Sequence, residues 1–266
     1  MKPYLKLCLL TLLLPATSQS QGAEPANEHP QEHSKQTTHD RRGAKRLLLE
    51  NADGAGITLW KPDLTTQTLK ASNGGLTIPK TGMDNYHAIV AQKDWGESKE
   101  TAIRYEFMFG RPSEHSPSEL AGVVKTELEI VPAPIPREHF HYQSNQRWGF
   151  QVRLHGQPLA KLPLALETEH GTRLEAVTDK RGYASFRLPD DFSDVVEGQR
   201  DKRRAEFAVS AELESHGITY QTRLTASYHP DPSHWQSASL GWAVTGMGFI
   251  VGGLVGRKRK QKGKMS

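Results

Sequence analysis

The sequence predicts an all-β protein with two antiparallel β domains, the second an immunoglobulin-like sandwich, followed by one C-terminal transmembrane helix. Three observations carry this reading. Short apolar or alternating runs recur between turn signals along most of the chain. The 266 residues include 16 prolines and 23 glycines, which suits a turn-rich β protein better than a helical bundle. The end of the chain holds an uncharged, glycine-rich run followed at once by a cationic tail.

The chain opens MKPYLKLCLLTLLLPATSQSQ. A basic start, an apolar core from Leu7 to Leu14, a breaking Pro15 and small residues near Ser18 and Ser20 predict a secretory signal peptide over residues 1–20. The single cysteine, Cys8, lies inside it, so the mature chain has no disulfide framework, cysteine nucleophile or cysteine zinc site. Residues 21–45 are polar, lack apolar periodicity and contain His29, His33 and His39; they read as a solvated linker. A first β domain is expected over residues 46–136. Its candidate strands are RLLLE, GITLW, LTIP, NYHAIVAQ, TAIRYEFMF and VVKTELEIV, and the proline-rich VPAPIP near its end forms a stiff connection.

The second domain, residues 137–230, is expected to use RWGFQVRL, LPLALET, RLEAVT, YASFRL, AEFAVSAELES and ITYQTRLTASY as strands. Phe150, Val152 and Leu154 share one face of their strand, and Ala184, Phe186 and Leu188 share one of theirs. Residues 231–256 deliver the chain to the membrane and cross it. The 21 uncharged residues from Trp235 to Val255 reach about 30 Å as a helix, which matches a hydrocarbon core. Gly248 with Gly252, and Gly252 with Gly256, are GxxxG pairs that permit close packing of a second helix. Arg257, Lys258, Arg259 and Lys260 open a tail, 257–266, with six cations; by the positive-inside rule it is cytoplasmic. The expected address is the bacterial inner membrane, single-pass, with the bulk of the chain periplasmic.

The net charge of +4 comes from the ends. Eight of the 34 basic residues lie in residues 1–20 and 257–266, which leaves 26 against 30 acidic residues. The middle of the protein is therefore near −4, and no nucleic-acid partner is expected.

The stretch HGQPLAKLPLALETEHGTRLEAVTDKRGYASFRLPDD resembles carboxypeptidase-regulatory-like and bacterial immunoglobulin-like modules. Asp179 and Gly182 form its tight turn. The wider order of signal, β domain ending in LEIVPAPIP, second module and C-terminal anchor resembles the secreted bacterial family called nickel uptake substrate-specific transmembrane region. That resemblance implies an exported β-rich protein that accompanies a nickel or cobalt uptake system, with a membrane transporter subunit as partner. Many family members begin the mature chain with a histidine in a short His–aromatic motif, whereas this chain begins with a polar linker.

PREHFHYQ is the densest candidate site. On a strand, His139 and His141 would present two imidazoles on one face to a transition-metal ion such as Ni, Co or Cu. A third ligand must come from elsewhere, such as His115, His87 or His170. The plainer account is two surface histidines at a domain junction. His229 and His234 flank PDPS beside the expected membrane; they could ligate an ion or bind headgroups, and the plainer account is an interfacial spacer. FMFGRPSEHSPSEL, with Arg111, Glu114, His115 and Glu119, reads as a loop. The chain has no GxSxG and no HExxH, so no enzyme is expected.

Two functions remain. One is an anchored accessory protein of transition-metal uptake, which binds an ion or positions a transporter. The other is an anchored immunoglobulin-like spacer that binds another envelope protein or a glycan. Both place Tyr228 outside the cytoplasm. Alkaline phosphatase, which folds only in an oxidising compartment, is therefore expected to be active when fused after Tyr228; an inactive fusion there overturns the predicted topology.

Overall fold

The computed structural model describes residues 11–13, 45–50, 54–72, 75–136 and 141–236. Its elements, in chain order, are β1 (Thr11–Leu13), β2 (Lys45–Glu50), β3 (Gly56–Trp60), β4 (Thr66–Leu69), β5 (Ala71–Ser72), β6 (Gly75–Ile78), β7 (Asn85–Asp94), β8 (Ser98–Met108), α1 (Pro117–Gly122), β9 (Leu128–Pro132), β10 (Tyr142–Gln143), β11 (Arg147–Leu154), β12 (Gln157–Pro158), β13 (Pro163–Thr168), β14 (Arg173–Val177), β15 (Tyr183–Arg187), β16 (Ala205–Ser215), β17 (Ile218–His229) and α2 (Pro232–Trp235). The expected β-rich architecture is present. The predicted transmembrane segment, with Gly248, Gly252 and Gly256, and the basic tail from Arg257 to Lys260 lie outside the described residues. Among the described residues no helix is long and apolar enough to cross a membrane.

Local pairing follows the expected hairpins. β7 and β8 run antiparallel through Ala91 opposite Ala102, and β16 and β17 through Val209 opposite Leu224. The link between these hairpins is parallel: β8 pairs with β17 from Ser98 opposite Thr219 to Arg104 opposite Thr225. One continuous sheet results, in the order β14-β13-β16-β17-β8-β7-β3-β4, with β10 added beside β17.

Two smaller sheets cover opposite faces of the long one. Successive strand residues point to opposite sides, so Ala102 and Ile103 of β8 face different cores. On the Ala102 side, Ile57, Leu59, Ile89 and Ala91 pack against Leu47, Leu76 and Ile78 of the β2-β6-β5 layer. On the Ile103 side, Phe207, Val209 and Leu224 pack against Ile130, Phe150, Val152 and Phe186 of the layer made by β9, β11, β12 and β15. The faces predicted for Phe150 with Val152, and for Ala184 with Phe186 and Leu188, are buried in this second core. β1 lies in the predicted leader and pairs with β2, which is held on its other side by β6.

Buried charge lies beneath the parallel seam. Arg104, 2% exposed, donates from Nε to Glu106 and from Nη1 and Nη2 to Glu206 of β16. Its Nη2 also reaches Ser227 Oγ of β17 at 3.2 Å, and Ser227 donates to Glu206 at 2.6 Å. Lys45 of β2 donates to the other oxygen of Glu106 at 2.9 Å. Burial alone would raise the Glu106 carboxyl, but Arg104 and Lys45 pull it down to about 2.

Local chemistry explains three departures from the expected strands. VVKTELEIV is a strand only from Leu128, because Glu129 turns back to accept the Lys125 N–H at 2.8 Å and the Arg153 guanidinium. Glu129, which alternates in sequence with the apolar Leu128 and Ile130, is nevertheless buried, because β11 supplies Arg153 opposite it. β9 therefore joins the sheet of β11, across the position 136 boundary read from the sequence. The loop expected in FMFGRPSEHSPSEL contains α1. Ser116 and Glu119 form a reciprocal capping box, with Pro117 in the first turn, and Leu120 is buried.

The DKRG turn forms as expected. Asp179 Oδ1 accepts the N–H groups of Arg181 and Tyr183, and Gly182 has φ +73°. A Cβ on Gly182 would meet Val152 O at 2.6 Å.

Arg104→Met leaves the buried Glu206 without a cation, while Glu106 keeps Lys45, and is expected to cost about 3–5 kcal/mol in urea unfolding. Arg104→Met with Glu206→Gln should cost less than Arg104→Met alone; a double variant no more stable than the single one overturns the assignment of Arg104 as the partner of Glu206. Glu106 is depressed in the folded state. Its contribution should therefore be complete above about pH 4.5 and lost as pH falls towards 2.

Candidate functional site

The segment after the first domain returns to the end of β17. Tyr142 anchors it: this residue is buried, meets Trp148 edge-on at 4.6 Å and Phe207 at 5.0 Å, and pairs in register with Tyr228. Gln143 then pairs with His229. This register brings the rings of His141 and His229 to 4.9 Å between centroids, tilted by 46°.

The backbone orients His229. Its Nδ1 lies 2.9 Å from the carbonyl oxygen of Arg203, so Nδ1 carries the proton and Nε2 holds the lone pair. Burial lowers its pKa, and the neighbouring His141 lowers it further. The neutral form that can ligate a metal is therefore favoured, and the bond to the carbonyl holds the ring as second partners of metal-bound histidines commonly do.

The exit HPDPSHW is fixed rather than a loose spacer. Asp231 accepts the Ser233 N–H at 2.9 Å and the Asn145 amide at 3.2 Å, and the Asp231 N–H donates to Ser144 Oγ at 2.8 Å. His234 Nε2 lies 3.0 Å from Asp190. The sequence marks His229 only as a histidine beside PDPS; the pairing of β10 with β17 is what brings it to His141.

The other predicted ligands lie elsewhere. His139 falls outside the described residues. His115 precedes α1: its ring Nδ1 lies 2.7 Å from Glu119, and its carbonyl accepts from Asn85. His87 is fully buried between Thr81 Oγ1 and the Asn85 carbonyl, and burial lowers it to about 4. His170 packs against the Phe192 ring at 5.0 Å. Among the described residues no group of three His, Cys, Asp or Glu side chains is placed to hold an ion.

A second concavity, of about 660 Å³, follows the end of the parallel seam beside Gln92, Lys99, Thr126, Glu127, His155 and Tyr220. Some of its groups pair with one another, Gln92 donating to Thr126 at 2.9 Å and Lys99 to Glu127 at 2.8 Å, whereas the buried Glu100 Oε2 and Gln221 Oε1 have no hydrogen-bond partner among the described residues. Lys125 lies at its edge, 5.6 Å from the Tyr105 ring centre, and burial lowers its amine to about 8.

No known family profile matches this chain, and no curated protein matches it. Solved structures give distant similarities. One is a Ca²⁺-stabilized adhesin with which an Antarctic bacterium reaches out and binds ice: identity is 14% over 74% of this chain and 45% of that one, with a TM-score of 0.28. A segment of two fibronectin type-III domains from chicken tenascin is 7% identical over 70% of this chain and 91% of that one, with a TM-score of 0.22. The D0–D1 domain of intimin is 12% identical over 70% and 91%, with a TM-score of 0.24. The chain thus spans less than half the length of the adhesin. At such scores the chains do not superpose as wholes, and the site rests on its own geometry.

The ring pair predicts a titration. The His229 C2-proton resonance should titrate below the ordinary histidine midpoint of about 6.5, and His141→Ala should move the midpoint upward without fully restoring it. A midpoint unmoved by His141→Ala overturns the coupling of the two rings.

Proposed function

We propose that this chain is a non-catalytic, membrane-anchored extracytoplasmic protein that serves transition-metal uptake, with the ion as cargo held at His141 and His229. The observation that carries the reading is the His141–His229 ring pair, with the His229 proton fixed on Nδ1 by the Arg203 carbonyl. Two imidazole nitrogens suit nickel, cobalt or copper better than magnesium or calcium. His139, two residues before His141, is the candidate third ligand. The layered second unit, in which β14-β13-β16-β17 packs on β12-β11-β15, is read as immunoglobulin-like and acts as the rigid support of the pair. A transporter subunit is the proposed partner, reached through the glycine pairs of the C-terminal segment.

The spacer reading has an observation of its own. Trp95 is 61% exposed at the tip of the β7–β8 hairpin, where it stands as a large apolar contact for a protein or glycan.

The deciding measurement is calorimetric titration of the full chain in detergent, with His29, His33 and His39 changed to Gln so that the linker cannot contribute. One saturable site for Ni²⁺ or Cu²⁺ is expected at neutral pH, lost near pH 5 as imidazole protonates. Copper should bind tighter than nickel whichever is the cargo, following the Irving–Williams order. His141→Ala with His229→Ala should abolish the site, and His115→Ala should leave it intact. Unaltered binding in the double variant, or no saturable site in the parent, transfers the function to the spacer reading.

A further inference from the structure

The loop that joins β15 to β16 ends beside the last described turn of the chain. Its base is fixed. The Phe192 ring lies 5.0 Å from the Tyr228 ring, and Arg203 grips Asp201 at 2.7 Å and the Ser193 carbonyl at 2.6 Å. The apex is a turn in which the Gln199 N–H bonds the Val196 carbonyl at 3.3 Å. Gly198, at φ +82°, then donates its N–H to the carbonyl of Trp235 at 2.9 Å. Trp235 is the final residue of α2 and the first of the 21 uncharged residues read as the membrane span. A single hydrogen bond therefore places the loop apex at the point where the chain would enter the membrane.

The apex carries the chemistry of such a surface. Val196 is 59% exposed beside this turn. A shallow cleft of about 600 Å³ beside it is bordered by Gln199, Arg200, Lys202 and Arg203. Residues 194–204 hold four cations, Arg200, Lys202, Arg203 and Arg204, against the carboxylates of Asp194, Glu197 and Asp201. Arg203 and Asp201 neutralise one another. Arg200, Lys202 and Arg204 are exposed and make no ion pair with a described residue.

We propose that residues 196–204 are a membrane-contact loop. Val196 enters the headgroup layer of the membrane that the C-terminal run spans, and Arg200, Lys202 and Arg204 engage the phosphates of its anionic lipids. This inference rests on the anchored reading above. The net attraction of the loop is small, but the chain's own anchor begins at its side. Tethering turns a weak surface contact into an intramolecular one, so a modest affinity suffices. The consequence is a fixed posture. The unit that bears His141 and His229 is held close to the bilayer instead of swinging on its anchor.

The test uses the full chain with Cys8→Ser, carrying Val196→Cys labelled with a polarity-sensitive fluorophore. The same label at Val177→Cys, which is 62% exposed on β14, serves as reference. Each is reconstituted into nanodiscs of phosphatidylcholine alone or with phosphatidylglycerol. The label at 196 should shift to shorter wavelength, and be quenched by headgroup nitroxides, more strongly with phosphatidylglycerol, while the label at 177 stays unmoved. Changing Arg200, Lys202 and Arg204 together to Gln should remove the phosphatidylglycerol-dependent part. Equal responses at 196 and 177, or a response indifferent to both lipid charge and the triple change, overturn the loop. Inorganic phosphate added in detergent should give no shift at 196. A shift there equal to the lipid one assigns a small-anion site and overturns the membrane contact. Alkaline carbonate extraction separates the two claims: a chain released by it overturns the anchored reading, whereas a retained chain with an unresponsive label overturns the loop alone.

Discussion

The rest of the structure depends on the parallel pairing of β8 with β17. Each strand belongs to an antiparallel hairpin, and each hairpin by itself would leave an edge of unpaired backbone groups. Joining the two edges removes both liabilities and converts two sheets into one. It also obliges β8 to be buried on both faces, since Ala102 serves one core and Ile103 the other. That is why TAIRYEF reads as a mixture of apolar and charged residues without clean alternation. Arg104 faces the side where apolar packing gives way to the polar face of β16 and β17, and its five N–H donors suit a place that must be filled without a cavity. The guanidinium binds Glu206, Glu106 and Ser227 at once, so the register of the seam is specified by charge as well as by backbone.

Much of this was legible beforehand. The strands of the second unit match the runs read from the sequence; β13 and β15 each carry a single buried face, and the β14–β15 turn has its own chemistry in Asp179 and Gly182. Three features were hidden for physical reasons. A parallel pair between strands far apart in sequence leaves no local signal, because no turn residue connects them. Glu129 alternates correctly and yet is buried, since its partner Arg153 belongs to a strand that the sequence places in another domain. α1 did carry a signal, the S-x-x-E of Ser116 and Glu119, but six residues are too few to show a helical period.

The candidate site shows the same division. His141 was visible as half of a close pair, which is a property of neighbours in sequence. Its observed neighbour is His229, which is a property of neighbours in space. The same register that seats Tyr142 in the aromatic core fixes that encounter, so the position of the imidazoles is inherited from the packing of Tyr142 against Trp148 and Phe207. For an ion bound as proposed, these two imidazoles would already be in place, and little conformational entropy would be lost at them.

Arg203 connects the two surfaces proposed for the membrane-proximal end. Its carbonyl fixes the tautomer of His229, while its guanidinium holds Asp201 and the Ser193 carbonyl at the base of the loop. A cation on Nε2 of an imidazole makes the Nδ1 proton more acidic and its hydrogen bond stronger. The strengthened bond would fall on the backbone of Arg203, the residue that braces the loop of Val196. In the other direction, lipid phosphates at Arg200 and Arg204 would offset the positive field that these side chains place on His229, and would ease the approach of a metal cation. On the proposed reading, ion and bilayer would favour one another through these contacts, and linkage would make the effect reciprocal. Such coupling would let a tethered binding unit hold its ion most firmly where a transporter would take it, at the membrane surface.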